Sequence, residues 1–431
     1  MNTTNEKIWA ERQKAREKSL RRLENGRDKN FYKFLTLGIA LVVLAAAVSV
    51  FGVYSYRNYE REAALEIAGN TILVKAGGDV QAALNRAKAG DTIFLQAGAA
   101  FKGNFDLPMK AGNEFITVRT SANDAQLPPA DTRIDPTKYA AVLPKISSPN
   151  NEPAITAVSG AHHFRFIGVE FGANKEGVGN IIQLGTTEEK KIEDLPHHIE
   201  FDRVYIHGDN ALGQRRGIAA NGKFIKIVNS YIADIKRKGE ESQAIAVWAG
   251  DGNIEIVNNY LEGAGENILF GGAASNLKLV PTDCVVRGNH LNKPVQWREE
   301  GWVVKNLFEI KNGRRIKVEN NLMTNNWGMA QDGTAILFTT RADNGDATVI
   351  EDIEFTGNII RGSASAVSVY GAEGSGGHRL TIRNNLFADI DGKKWGGAGL
   401  FLKSTTWDGL VIENNTAIQT GNVTNAYGDP I

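Results

Sequence analysis

Two apolar residues at alternate positions, a polar corner, and two more apolar residues form a pattern that recurs along this chain. It is clearest at Arg315–Asn325, RIKVENNLMTN, and returns from Asn253, Asp283, Asp352, Arg379 and Gly409. Weaker copies begin at His163, His198 and Phe224, and the copies are spaced by about 26 to 37 residues. Alternation at period two predicts strands with one buried face. A second apolar run lies between copies: QAIAVWAG, ENILFGG, NLFEIKNG, GTAILFTTR, SAVSVYG and AGLFLKS. A unit of this length holds two or three short strands and no helix, so the repeat predicts an all-β parallel β-helix.

One corner position reads Asn259, Asn289, Asn321, Asn358, Asn385 and Asn415. In a coil these side chains stack, and each amide can bond to the next. This predicts an asparagine ladder that satisfies polar groups at an inner corner. The earlier copies carry Val169, Arg203 and Ser230 there, so the ladder should begin near Asn259.

Upstream the pattern changes twice. Residues 1–33 hold ten basic and five acidic side chains, with acid–base pairs at helical spacing up to Gly26. Residues 34–54 carry no charge and would form a helix about 30 Å long, flanked by Tyr32, Tyr54 and Tyr56. This predicts an uncleaved single-pass transmembrane helix with a cytoplasmic N-terminus and the remainder in the periplasm or outside the cell. Residues 55–68 read as a stalk, helical over Asn58–Ala68, and the coil as 69–431. In the coil, Asp79 should cap a helix with apolar face Val80, Ala83, Leu84 and Ala87, closing the open end of the solenoid. Ala122–Asn151, rich in proline, reads as a long surface loop. No second cap follows Leu410, which suggests a fragment or a poorly capped end.

Lysine plus arginine and aspartate plus glutamate both number 49, so overall charge gives no argument for nucleic acid. The 46 glycines suit many tight turns. Cys284, the one cysteine, falls on a repeat strand and reads as core.

The capping helix, the following AGDTIFLQAGAAFKGNF and the Asn-Asn repeats resemble the pectin-lyase-like superfamily of right-handed parallel β-helices over roughly Gly69 to Ile431. The stretch from HIEFDRVYIHG through RRGIAANG, GAGENILFGG and GTAILFTTR is similar to bacterial β-helix repeat proteins without an assigned activity. The resemblance speaks for fold and implies polysaccharide as the substrate or ligand.

Aligning the second strands by their inward residues puts Trp248, Gly271, Lys311, Thr339, Tyr370 and Lys403 in one outward column. A neighbouring column holds Ala246, Leu269, Glu309, Leu337, Ser368 and Phe401. Uronate β-elimination needs the sugar carboxylate neutralised, a base near the α-proton and an acid for the leaving oxygen. Lys311, Arg341 and Glu309 are the catalytic candidates, similar to the Lys/Arg pair of alginate- and chondroitin-cleaving β-helix lyases. Trp248, Tyr370, Lys403 and Glu266 are the substrate-binding candidates. Calcium held by carboxylates is one way to neutralise a uronate, but the sequence marks no metal ligands. Glycoside hydrolysis is weaker. The chain lacks the Gly-His-Gly and paired-aspartate motifs of polygalacturonase-like enzymes, and its Arg315–Lys317 begins a repeat strand. Asp332, Glu309 and Glu266 remain as generic carboxylate candidates for it. The non-catalytic alternative is a glycan binder or scaffold, with Trp248, Trp297, Trp302, Trp327 and Tyr370 stacking on sugars. His162–His163 and His197–His198 read as surface residues beside turns. Substrate and oligomeric state are not legible.

Overall fold

The computed structural model describes residues 3–63, 65–157 and 159–427; side chains at 3–6, 26–32, 52, 54–63 and 427 fall outside it, Tyr32, Tyr54 and Tyr56 among them. The chain divides into two compact units, 1–63 and 64–431.

The first unit is one helix, α1 (Thr3–Ala63), unbroken at Gly26. Its Lys33–Phe51 stretch has mean hydropathy 2.6, none of it is buried, and it is long and apolar enough to cross a membrane. The helix stops at Ala63. The rest of the expected helical stalk is instead a strand, Leu65–Ala68, paired antiparallel with Thr71–Val74. Gly69 at φ 62° sits at the turn, where a left-handed backbone suits glycine.

The second unit is a parallel β-helix of three sheets, with 14, 11 and 11 strands. Each rung contributes one strand to each sheet in turn. One rung runs Lys317–Glu319, Leu322–Asn326 and Thr334–Thr339, and the chain returns to the first sheet at Ile350–Thr356. Apart from the first hairpin, every strand pairing among the described residues is parallel. Alternate residues point inward and stack rung on rung. Phe166, Phe201, Ile227, Ile256, Val286, Val318, Phe355 and Ile382 share one such register. All belong to one continuous core, and each contributes about 1.5–3 kcal/mol by burial. Cys284 lies in this core, and burial pushes its thiol up to about 12.

Between the first and second sheets the backbone turns through a left-handed residue, Asn258 (φ 57°), Asn320 (φ 54°) or Asn384 (φ 56°) for example, a conformation asparagine tolerates better than most residues. The following asparagine points inward. Asn289 Oδ1 accepts from Asn259 N at 2.8 Å and Asn259 Nδ2 at 3.0 Å, while Asn289 Nδ2 donates to Ile256 O at 2.8 Å and Asn321 Oδ1 at 3.0 Å. The same bonds repeat through Asn321, Asn358, Asn385 and Asn415. Below Asn259, Ser230 takes over: its N–H bonds Asn259 Oδ1 and its hydroxyl accepts from Val204 N, so Val204 holds the ladder position one rung earlier and Arg203 (φ 50°) is the left-handed corner residue before it.

The cap, α2 (Val80–Arg86), is held by Asp79, whose side chain accepts from Ala82 N at 3.0 Å, and buries Val80, Ala83 and Leu84. At the other end the last described rung leaves Val411, Ile418 and Val423 exposed. The proline-rich stretch is more than a loop. Its Leu127, Ile134 and Leu143 form a small core packed against Ile167, Tyr205 and Tyr231. A third cluster, Ala264, Trp297, Trp302, Val304, Trp327, Ala364 and Trp395, fills the corner between the second and third sheets.

Candidate functional site

The candidate site residues Trp248, Glu266, Glu309, Lys311, Tyr370 and Lys403 lie on or beside the third sheet. In register, the strands pair Gln243↔Glu266↔Asn306 and Leu269↔Glu309↔Leu337↔Ser368↔Lys403. Thr339 pairs Tyr370, and Tyr370 pairs Thr405. Lys403 therefore stands in the column of Glu309, not in that of Lys311 and Tyr370. The inward partner of Val367 is Leu402 rather than Leu400, and Ser404 faces Val369.

Loops before and after these strands wall a cavity of about 430 Å³, lined among others by Glu309, Lys311, Asp332, Arg341, Tyr370 and Lys403. Glu309 is 2% exposed at its base. Its carboxylate lies 3.8 Å from Lys311 Nζ and accepts from Asn306 Nδ2 at 3.1 Å. Burial pushes Glu309 above the usual carboxylate range; the Lys311 ammonium opposes this and nearby Glu266 adds to it. Arg341 reaches Glu373 at 2.5 Å, and its guanidinium sits 5.6 Å from the centre of the Tyr370 ring. The Ala342 N–H, then Arg341, hold Glu373 below its ordinary value. Lys403 is exposed.

Glu266 and Trp248 are not part of the cavity lining. Glu266 is fully buried, 2.7 Å from Lys305 Nζ, an ion pair by distance without the angle of a hydrogen bond, and it accepts from Gln243 Nε2 at 2.8 Å. It supports the site from beneath and cannot touch a sugar directly. Burial alone would lower Lys305, yet Glu266, Glu309 and Glu241 outweigh it and hold the ammonium above the usual lysine range. Trp248 is half-buried under the Arg216 guanidinium, 4.9 Å from its ring centre, and burial lowers Arg216 to about 10. Trp297, Trp302 and Trp327 are 2%, 4% and 4% exposed, so they close the corner and present no face to a glycan. Arg315 pairs with Asp283 at 2.7 Å on the first sheet, away from the cavity.

Sequence reasoning missed Lys305 and Asn306, the groups that hold Glu266 and Glu309. The tryptophan cluster had a signal. Ala264, Trp297, Trp327, Ala364 and Trp395 recur at close to the rung period. Among the described residues, the one group of three ligand-type side chains gathered closely enough for a metal is His162, His163 and His197, not carboxylates at the cavity.

No protein-family model and no curated protein matches the chain. Among solved structures, an alginate lyase from a Paenibacillus species is similar at 16% identity and TM-score 0.43, covering 82% of this chain and 97% of that one. The surface adhesin PfbA of Streptococcus pneumoniae is similar at 11% identity and TM-score 0.43, covering 74% and 81%. A polygalacturonase from Erwinia carotovora is similar at 13% identity and TM-score 0.42, covering 84% and 97%. The functional reading rests on the cavity itself.

Proposed function

We propose that the third-sheet cavity takes an acidic polysaccharide and cleaves it by β-elimination at a uronate. The observation that carries this reading is the meeting of Lys311, Arg341, Lys403 and Tyr370 in one cavity above a buried Glu309. Two cationic side chains, Arg341 and Lys403, suit a polyanionic chain, and Tyr370 offers a ring to stack on a sugar. In this reading Arg341 and Lys403 neutralise the uronate carboxylate, and the Lys311 amine takes the proton alpha to it. The C–O bond to the leaving sugar breaks, the C=C bond forms, and Glu309, held above the usual carboxylate range, returns a proton to the leaving oxygen. The right-handed winding common to the superfamily that the sequence resembles belongs to the same reading.

We also propose that the Lys33–Phe51 stretch anchors the chain in a membrane, with the basic segment inside and the solenoid outside. Reporter fusions before and after the span test this; equal reporter states on both sides overturn it.

The elimination is tested by following the ultraviolet absorbance of the new C=C bond on a panel of uronate polymers, with and without calcium. The expected result is a rise on at least one polymer that Lys311→Ala reduces by about 10²–10⁴-fold. No rise on any polymer, with glycan binding retained on an array, replaces the lyase by a recognition module.

A further inference from the structure

The first sheet carries a second constellation, far along the chain from the cavity residues. His162–His163 and His197–His198 open two consecutive strands, and His162 pairs with His197 in register. Successive strand residues normally point to opposite faces. Here His163 and His198 adopt φ 58° and 53°, and both rings of each pair come together on one side. His162 Nδ1 lies 2.7 Å from His163 Nδ1, and His197 Nδ1 lies 2.8 Å from His198 Nδ1. Between rungs the rings stack, His162 on His197 at 4.8 Å and His163 on His198 at 4.5 Å, with interplanar angles of 1° and 6°. The result is a two-by-two array of imidazoles.

Other rungs share the left-handed corner, with Phe224, Asn253, Asp283 and Arg315 in that conformation, so the turn belongs to the fold. Histidine at both positions of two adjacent rungs does not. Two ring nitrogens at 2.7 Å cannot face each other as bare lone pairs; a proton or a cation must stand between them. Phe115 meets His163 edge-on at 5.3 Å and Phe224 stacks on His198 at 4.6 Å, closing the array at both ends. Neutral imidazole is the ligand form of histidine.

We propose that this array is a binding site for one late first-row divalent cation, of the zinc, copper or nickel class, held by His162, His163 and His197. One ligand nitrogen from each of these three lies within 4.8 Å of the others, so a modest rotation of the rings converges them on an ion. Three imidazoles and no thiolate suit this class and disfavour calcium or magnesium, which take oxygen ligands. Solvent completes the coordination. The site is independent of the proposed elimination.

The test is calorimetric titration of the full chain in detergent with zinc, nickel and calcium ions. The expected result is saturable binding of one zinc or nickel ion per chain, no calcium binding at this site, and at least a 100-fold loss of affinity in H162Q/H197Q. His378→Gln, on a distant rung, keeps full affinity. Because the double variant could fail to fold, copper is also added to the unaltered chain and its electron paramagnetic resonance spectrum recorded. Splitting from at least three nitrogens is expected. Absence of saturable binding, affinity unchanged in a folded H162Q/H197Q, or a copper spectrum without imidazole nitrogens overturns the proposal.

Discussion

The asparagine ladder and the polar tract on the third sheet are both polar and both buried, yet they are built in opposite ways. In the ladder each residue is identical to its neighbours and gives the next rung what it receives from the last. In the tract Gln243, Glu266 and Asn306 follow one another at a single register, each different, and Glu266 needs a cation from a neighbouring loop. Repeated polarity satisfies itself and makes structure. Unrepeated polarity must be satisfied by particular partners, and the proposed site lies beside it.

The sharpest way to break this contrast is Lys305→Met. It strands Glu266, 0% exposed, without its cation, and should cost about 3–5 kcal/mol in urea unfolding. Adding Glu266→Gln should recover much of that loss, which a ladder position cannot do. Asn321→Ala comes next. It removes an amide that bonds Asn289, Asn358 and Val286, and should cost about 3 kcal/mol in the same assay. Glu309→Gln should change stability by about 1 kcal/mol or less, because burial already favours its uncharged form, while lowering turnover on any uronate substrate. A large loss of stability with turnover intact would move Glu309 to the structural side.

His290 gives a smaller effect that depends on pH. Burial, with Arg133 adding to it, lowers this histidine from 6.5 to about 4, and it bonds Thr324 at 2.8 Å. The unfolded chain takes up its proton first as pH falls. Its stabilising share is therefore complete above 6.5 and declines toward 4, by at most about 1.4 kcal/mol per pH unit. His290→Gln should flatten the fall in the urea midpoint across that window. Smallest is Cys284: its buried thiol should resist alkylation at neutral pH until the coil unfolds, as mass spectrometry would show.

The same contrast explains what the sequence made legible. Asn259 to Asn415 could be read because one residue type returns at one register, and a ladder needs nothing more. Lys311 and Arg341 could be placed on one surface because the strands around them alternate cleanly. Lys403 could not be placed in its column. Leu400, Phe401 and Leu402 are all apolar, so the phase of that strand is ambiguous, and the short helix Gly392–Trp395 before it alters the spacing. Glu266 looked like a ligand for substrate because its partner Lys305 lies 39 residues on, at the end of a loop, with no periodic signal to link them. The histidine pairs were visible as dipeptides; their meeting required the register of adjacent rungs.

One feature has mechanical consequences. The chain passes from Ala63 into the hairpin formed by Leu65–Ala68 and Thr71–Val74, whose outermost pair is Leu65↔Val74. A pull on the N-terminal side would load that pair first, then Glu66↔Leu73. Glu66, Ile67 and Ala68 are exposed, so little packing resists. A pull from this side should therefore open the hairpin before α2 and the first parallel rung, and leave the coil wound, as force–extension measurement would show.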